Sequence, residues 1–252
     1  MKRLFLHVLV LSVALLVPVV VAQALPVWLP GTTVVGSAGP QSAPTTITAM
    51  MLDANSATTT VSSDGETVTF MNGSMTMAGM WMWSWTSITL DRDPLVSFAG
   101  GFQNISGMAQ DFVFSITTPI SPALSSPSKH GGQTIVTLID PGLSGSPSLA
   151  IDSSSNPAYQ GQIDGTGVLD MLATLNLTVS GTSASETQGY PGPSISGGAA
   201  NNTIGILHRF NLTAGDQATF SSVFAVIPEP GTIVLLATGL SGLALLGRRR
   251  QS

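Results

Sequence analysis

The chain has no cysteine, which excludes a disulfide scaffold and any thiolate-held metal. Charge is nearly as scarce. Charged residues make up 8% of the 252 positions, against about 25% in an average globular domain. Between Leu25 and Ile227 the cations are Arg92, Lys129 and Arg209, facing twelve Asp and Glu, a formal charge of −9. Such a surface repels phosphate backbones, so nucleic acid is excluded as a partner. Histidine is confined to His7, His130 and His208. No G-x-S-x-G nucleophile elbow occurs; Gly145-Ser146-Pro147 comes nearest and fails because proline follows the serine. Between the two ends no helix-period run of ten or more residues stands out. Catalytic residues and cofactors are therefore not expected.

Long apolar runs occur at the two ends. Met1-Lys2-Arg3 is followed by an apolar stretch from Leu4 to Val21 and then by Ala22-Gln23-Ala24. A basic start, an apolar run and a small-x-small triplet describe a secretory signal peptide, cut after Ala24; an uncleaved anchor is the alternative reading. His7 lies inside this leader and carries no chemistry. At the other end, Pro228-Glu229-Pro230 precedes an uncharged run from Gly231 to Gly247 and then Arg248-Arg249-Arg250. Both prolines lack a backbone donor and hold the tripeptide extended. As a helix the apolar run is about 25 Å long, slightly short of the roughly 30 Å hydrocarbon core. Arginine side chains can snorkel across the difference, and they mark the cytoplasmic side.

Pro-Glu-Pro, a single apolar helix and an arginine cluster, in that order over Ile227 to Arg250, resemble the PEP-CTERM sorting signal of exported bacterial proteins. The resemblance implies a membrane-embedded exosortase that recognises the segment and cuts near Pro228-Glu229-Pro230, in a Gram-negative host that makes exopolysaccharide. The alternative is a permanent single-pass anchor. With signal peptidase acting first, the implied topology places residues 25–227 outside and the arginines in the cytoplasm. Release to the cell surface or medium then follows processing.

Residues 25–44 hold Pro26, Pro30, Pro40 and Pro44 with Gly31, Gly36 and Gly39, and read as an irregular arm or an edge-strand lead-in. From Thr45 to Ile227 short β-branched runs alternate with turn signals, which argues for an all-β sandwich, Ig-like or jelly-roll-like. Asp64-Gly65 and Asn72-Gly73 each read as a two-residue turn. Pro119–Gly132 and Gly181–Asn201 read as loops. Val168–Ser180 fits both helix and strand spacing, and a strand over Ala173–Ser180 is preferred. Closing strands span Ile204–Leu212 and Gln217–Val226. His130 is placed in a solvated loop and His208 on an exposed strand face.

Trp81, Trp83 and Trp85 stand at spacing two, one face of a strand, with Met80 and Met82 opposite. An apolar pattern on both faces indicates burial on both. The functional alternatives are a tryptophan platform stacking on sugar rings, with exopolysaccharide as partner, and a thioether copper site from Met75, Met77, Met80 and Met82. Asp164-Gly165 and Asp91-Arg92-Asp93 read as turns rather than calcium loops, since neither matches an EF-hand. The Asn-x-Ser/Thr triplets at Asn72, Asn104, Asn176, Asn201 and Asn211 are not counted as sites. No metal is expected.

A second, patchier resemblance covers about Trp83 to Phe224. Trp83-x-Trp85, Leu90-Asp91-x-Asp93-Pro94, Asn104-x-Ser106, Gln110-x-Phe112-x-Phe114 and Gly215-Asp216-x-Ala218-Thr219-Phe220 look like an ectodomain pattern recurring among PEP-CTERM proteins. That pattern implies a β-sandwich and no activity.

Overall fold

The computed structural model of the protein describes residues 34–141, 147–150, 157–172, 175–178, 183–189 and 195–228. In chain order the elements are β1 (Val34–Pro40), β2 (Thr45–Thr48), α1 (Ala49–Asn55), β3 (Ser56–Val61), β4 (Thr67–Met77), β5 (Trp81–Asp91), β6 (Leu95–Asn104), β7 (Gln110–Pro119) and β8 (Ser128–Ile139). They continue with β9 (Ser148–Ala150), β10 (Tyr159–Ile163), β11 (Thr166–Met171), β12 (Asn176–Thr178), β13 (Ser183–Gly189), β14 (Ile195–Gly197), β15 (Thr203–Leu212) and β16 (Gln217–Pro228). The protein is an all-β sandwich. Sheet I runs β11-β10-β15-β7-β1-β2, with β9 joined to β15 and β12 to β9. Sheet II runs β13-β8-β16-β6-β5-β4-β3, with β14 also on β8. Every pairing is antiparallel.

Strict alternation on the long strands builds the core. On β16, Ala218, Phe220, Ser222, Phe224 and Val226 are buried, while the residues between them are half-buried or exposed. On β5 the buried set is Trp81, Trp83, Trp85, Ile88 and Leu90; a register shift between Trp85 and Ser87 opposite β6 moves the inward series by one residue. These rings meet sheet I across the sandwich. Trp83 packs on Phe114 at 5.3 Å between centroids, and Phe102 on Phe210 at 5.8 Å. Within sheet II, Trp83 stacks on Phe102 at 5.8 Å.

Local chemistry sets the corners. In the β3–β4 turn, Ser62 donates to an Asp64 carboxylate oxygen that also accepts from the Glu66 N–H at 3.0 Å, and Gly65 takes φ +77°. The Thr48 hydroxyl caps α1 by accepting from the Met51 N–H at 3.2 Å. Ala49 and Leu52, one turn apart, are its buried face, and the helix carries the chain from sheet I to sheet II. Asn104 is fully buried and fully used. Its amide donates to the Met108 and Leu212 carbonyls at 2.8 and 2.9 Å, and its oxygen accepts from the N–H and hydroxyl of Ser106. It ties the end of β6 to the end of β15.

Several expectations are corrected. Part of the 25–44 arm is a true strand: β1 pairs with both β2 and β7, its proline falling at the last position. Asn72-Gly73 is no hairpin turn. It lies inside β4, where Asn72 has φ +52° and Gly73 leaves room for the Trp85 ring; a Cβ there would stand 2.1 Å from it. The 119–132 loop ends early, because β8 begins at Ser128 and pairs with β16 up to Pro228. The 181–201 loop contains β13 and β14, both laid against β8. In the ambiguous 168–180 stretch, β11 and β12 settle for strand. Among the described residues no helix is long and apolar enough to cross a membrane. The expected signal peptide, residues 1–24, and transmembrane run, residues 231–247, lie outside the described residues.

Candidate functional site

Trp81, Trp83 and Trp85 are 0–2% exposed and point into the sandwich. That corrects the sugar-stacking alternative: rings sealed in the core cannot stack on a ligand. Energetics favours this placement even though the Trp81 and Trp83 indole N–H groups find no partner among the described residues. An unpaired buried donor costs about 1–3 kcal/mol. Burying the 150–250 Å² of such a side chain at about 25 cal/mol per Å² returns roughly 4–6 kcal/mol. Trp85 also donates its N–H to the Ser56 hydroxyl at 3.1 Å. The opposite face of β5 is not buried as expected, since Met82 and Ser84 are half-buried and Thr86 is exposed.

Both remaining histidines move inward, against the expectation of exposure. His208 is fully buried, with its ring against Phe220 at 4.7 Å and Tyr159 at 4.9 Å. Its Nε2 lies 2.9 Å from the Ser222 hydroxyl, which lies 2.7 Å from the Thr134 hydroxyl. Nδ1 has no partner. An orphan acceptor is tolerated better than an orphan N–H, which assigns the proton to Nε2, donating to Ser222, with Ser222 donating to Thr134. Burial pushes the imidazole down to about 3, so it stays neutral. A Ser–His contact of 2.9 Å has the reach of a nucleophile–base pair. Here Ser222 is 4% exposed and His208 is fully buried, and the Ser222 hydroxyl is already engaged by both His208 and Thr134. His130 is also buried and its titration lowered by burial; Nε2 stands 3.2 Å from the Val168 carbonyl. The Tyr159 hydroxyl donates across the sandwich to the Val223 carbonyl at 2.9 Å.

The acidic turns are occupied by backbone. Desolvation pushes the Asp164 carboxyl up, but the N–H groups of Asn201, Asn202 and Thr203, which it accepts at 2.7–3.0 Å, together outweigh that and hold it below the usual range. Arg92 lies 3.7 Å from Glu66. Among the described residues no group of three or more His, Asp or Glu is arranged to hold a metal ion.

What the strands do present is the outer face of sheet II. A shallow depression of about 210 Å³ has Ser87, Ser97, Ala99, Gln133, Ile135 and Ser221 among its lining, with Phe98, Ser222 and Val223 at its floor or rim. A neighbouring one of about 360 Å³ is lined by Ser84, Thr86, Ala99, Gly101, Gln217 and Thr219. They adjoin at Ala99. The small side chains of β6 form the low ground, and hydroxyls and amides from β5, β16 and β8 stand around it. None of these lining residues carries charge, so the surface offers hydrogen bonds without electrostatic attraction. Sequence alternation alone could have found this face once the inward set was known.

Of the sorting residues, Pro228 is the last residue of β16 and pairs with Ser128. Glu229, Pro230, Arg248, Arg249 and Arg250, like Ala22 and Ala24, lie outside the described residues. The chain matches no protein-family model and no curated protein.

Proposed function

We propose that this chain is a non-enzymatic exported protein of the bacterial envelope or extracellular matrix, addressed by a PEP-CTERM-like C-terminal segment. Signal peptidase removes residues 1–24. The chain then stands in the inner membrane as a single-pass protein with Arg248, Arg249 and Arg250 in the cytoplasm. An exosortase cuts near Pro228-Glu229-Pro230, and the ectodomain passes to the cell surface or the medium. The observation that carries this reading is that the ordered trio begins at the last residue of the last described strand: β16 ends on Pro228. A cut at the tripeptide therefore costs the sandwich none of its strands. The sealed Ser222–His208 pair supports a role without catalysis. Within the sandwich class, connections that cross between sheets at β6–β7, β7–β8, β8–β9 and β15–β16 favour a jelly-roll-like arrangement over an Ig-like one.

Mass spectrometry of the mature protein from its host tests the processing. The expected product begins at Leu25 and ends near Pro228-Glu229-Pro230. A surface form that retains Arg248-Arg249-Arg250 overturns it in favour of a permanent anchor.

A second reading, a module for exopolysaccharide, is supported by the uncharged face around Ala99. Hydroxyl and amide side chains match the hydrogen-bonding groups of a neutral glycan. The test is affinity electrophoresis against neutral polysaccharides, with Ala99→Trp as the variant that fills the depression. Retardation by the wild type alone supports this reading, and equal mobility of the two proteins in every gel removes it.

A further inference from the structure

The C-terminal end of β16 is held differently from its middle. From Gln217 to Ala225 the strand has β6 on one side and β8 on the other. The Val226 N–H still donates to the Pro94 carbonyl at 3.1 Å, and Val226 is fully buried. Ile227 and Pro228 lie beyond that last contact and pair with β8 alone, opposite Lys129 and Ser128. Ile227 is 42% exposed, so little apolar burial holds it down.

Hydrogen-bonded pairs alternate along an antiparallel ladder. Val226 bonds towards β6, so Ile227 turns its N–H and C=O towards β8 and forms a two-bond pair with Lys129. Pro228 falls at the next position, which points away from β8, and there its missing N–H costs nothing. The Ile227–Lys129 pair is therefore the last backbone tie between β8 and the end of β16. Its β8 side is fixed. Ser128 is buried with its hydroxyl donating to the Gly198 carbonyl at 2.5 Å, and β14 pairs along Ser128 to His130. The end of β16 is the part that can lift away. Beyond it, Glu229 and Pro230 alone separate Pro228 from the uncharged run that starts at Gly231.

We infer that Ile227 and Pro228 form a clasp that must lift off β8 before the chain is cut at Pro228-Glu229-Pro230, so that the sandwich regulates its own release. This regulation presupposes the exosortase cut proposed for the chain. A peptidase cleft takes up chain that is free of its own sheet. Two residues reach about 7 Å when fully extended, too little to carry a scissile bond from the end of a strand into an enzyme embedded in the membrane. The slack comes from β16. Lifting Ile227 and Pro228 breaks one hydrogen-bonded pair and lengthens the reach to about 13 Å. Lifting stops at Val226, whose burial and bond to Pro94 keep the core closed. Cutting of a transiently opened segment follows the population of the open form, so release tracks the strength of the Ile227–Lys129 tie.

The absence of native cysteine lets the clasp be locked cleanly. Residues in a hydrogen-bonded antiparallel pair lie about 5.5 Å apart at Cα, within the roughly 4.4–6.8 Å range of a disulfide. Ile227→Cys combined with Lys129→Cys, in the full-length chain in its host, is expected to form that bond outside the inner membrane. In a pulse-chase, the locked chain should lose Arg248-Arg249-Arg250 about tenfold more slowly than wild type, and dithiothreitol should restore the wild-type rate. Each single cysteine should be processed normally, which shows that the enzyme tolerates both substitutions. Inserting Gly-Ser-Gly-Ser between Pro228 and Glu229 of the locked chain should restore cutting without reductant, because the insert supplies the slack. Wild-type processing of a chain whose disulfide is in place overturns the clasp, as does a block that the reductant or the insert fails to relieve. A wild-type protein that never loses its arginines overturns the exosortase reading itself, and the clasp with it.

Discussion

Replacing His208 by Phe should remove the part of the protein's sensitivity to mild acid that this side chain causes. The imidazole is fully buried, and burial lowers its titration from the ordinary 6.5 to about 3. The unfolded chain takes up a proton near pH 6.5, while the folded chain resists until near pH 3. A depressed histidine of this kind leaves stability intact above pH 6.5 and withdraws it as pH falls towards 3. At about 1.36 kcal/mol per unit the full loss approaches roughly 5 kcal/mol, and between pH 8 and pH 5 it is about 2 kcal/mol. The carboxyls of Asp64 and Asp164, both held below 3.8, support stability above that value and withdraw it only as pH falls further. Asp64 and Asp164 therefore add no loss between pH 7 and pH 5, and Asp216, whose carboxyl is raised, changes stability in the opposite direction. His130 shifts in the same direction as His208 and remains in the variant as a common background. Phenylalanine suits the cavity among Phe114, Tyr159 and Phe220, and leaves Ser222 bonded to Thr134. Urea melts at pH 8, 6 and 5, with unchanged m-values, measure the difference. His208→Phe should lose about 2 kcal/mol less than wild type on going to pH 5. Parallel pH profiles for the two proteins would refute the assignment.

Asn104→Ala should cost about 2–4 kcal/mol in the same melts, because it strands the Leu212 carbonyl and strips Ser106 of its acceptor in a buried corner; a loss under half a kilocalorie would mean that water replaces the amide at no cost. Gly73→Ala puts a methyl 2.1 Å from the Trp85 ring and 2.6 Å from the Asn55 carbonyl. A loss of about 1–3 kcal/mol and a changed tryptophan emission are expected, whereas unaltered emission would show that the ring does not occupy that space. Asp216 presents the opposite pH sign to His208. Desolvation, and more weakly the neighbouring Asp140, raise its carboxyl above 3.8 while Thr213 opposes them. Its protonated form is favoured in the fold, so that contribution is present at low pH and lost as pH rises through the folded value. Asp216→Asn, which can still accept from Thr213, should therefore raise the melting temperature at pH 7 more than at pH 4.

Much of the fold was legible because strand periodicity survives in a chain with so little charge. Trp81-x-Trp83-x-Trp85, Phe112-x-Phe114-x-Ile116 and Phe220 through Val226 alternate in sequence as they do in the sandwich. The failures follow a physical pattern. Glycine and proline at 34–40 and 195–197 have the look of breakers, yet a strand tolerates proline at its end and glycine wherever a neighbour presses close. Gly73 is the clearest case. In sequence Asn72-Gly73 resembles a turn, and only the ring of Trp85, twelve residues away, reveals why no side chain can stand there.

The histidines mark where sequence reasoning had no purchase. Polarity argues for exposure, and a chain poor in charge offers no partner that would predict burial. Strand parity, however, contains the answer. His208 is two residues before Phe210 and two after Ile206, both inward on β15, and His130 shares the parity of Val136 and Leu138 on β8. Applied strictly, alternation outranks residue type. It places His208 among aromatics, where only a hydroxyl from the facing sheet can satisfy it, and Ser222 is the polar residue in the inward series of β16. The same rule bears on function. Once tryptophans and histidines are assigned to the interior, the outward series of sheet II around Ala99 is left with Ser, Thr, Gln, Ala and Gly, together with Ile135. Parity thus separates the two faces of sheet II: aromatic and histidine side chains point inward, and small polar side chains around Ala99 point outward.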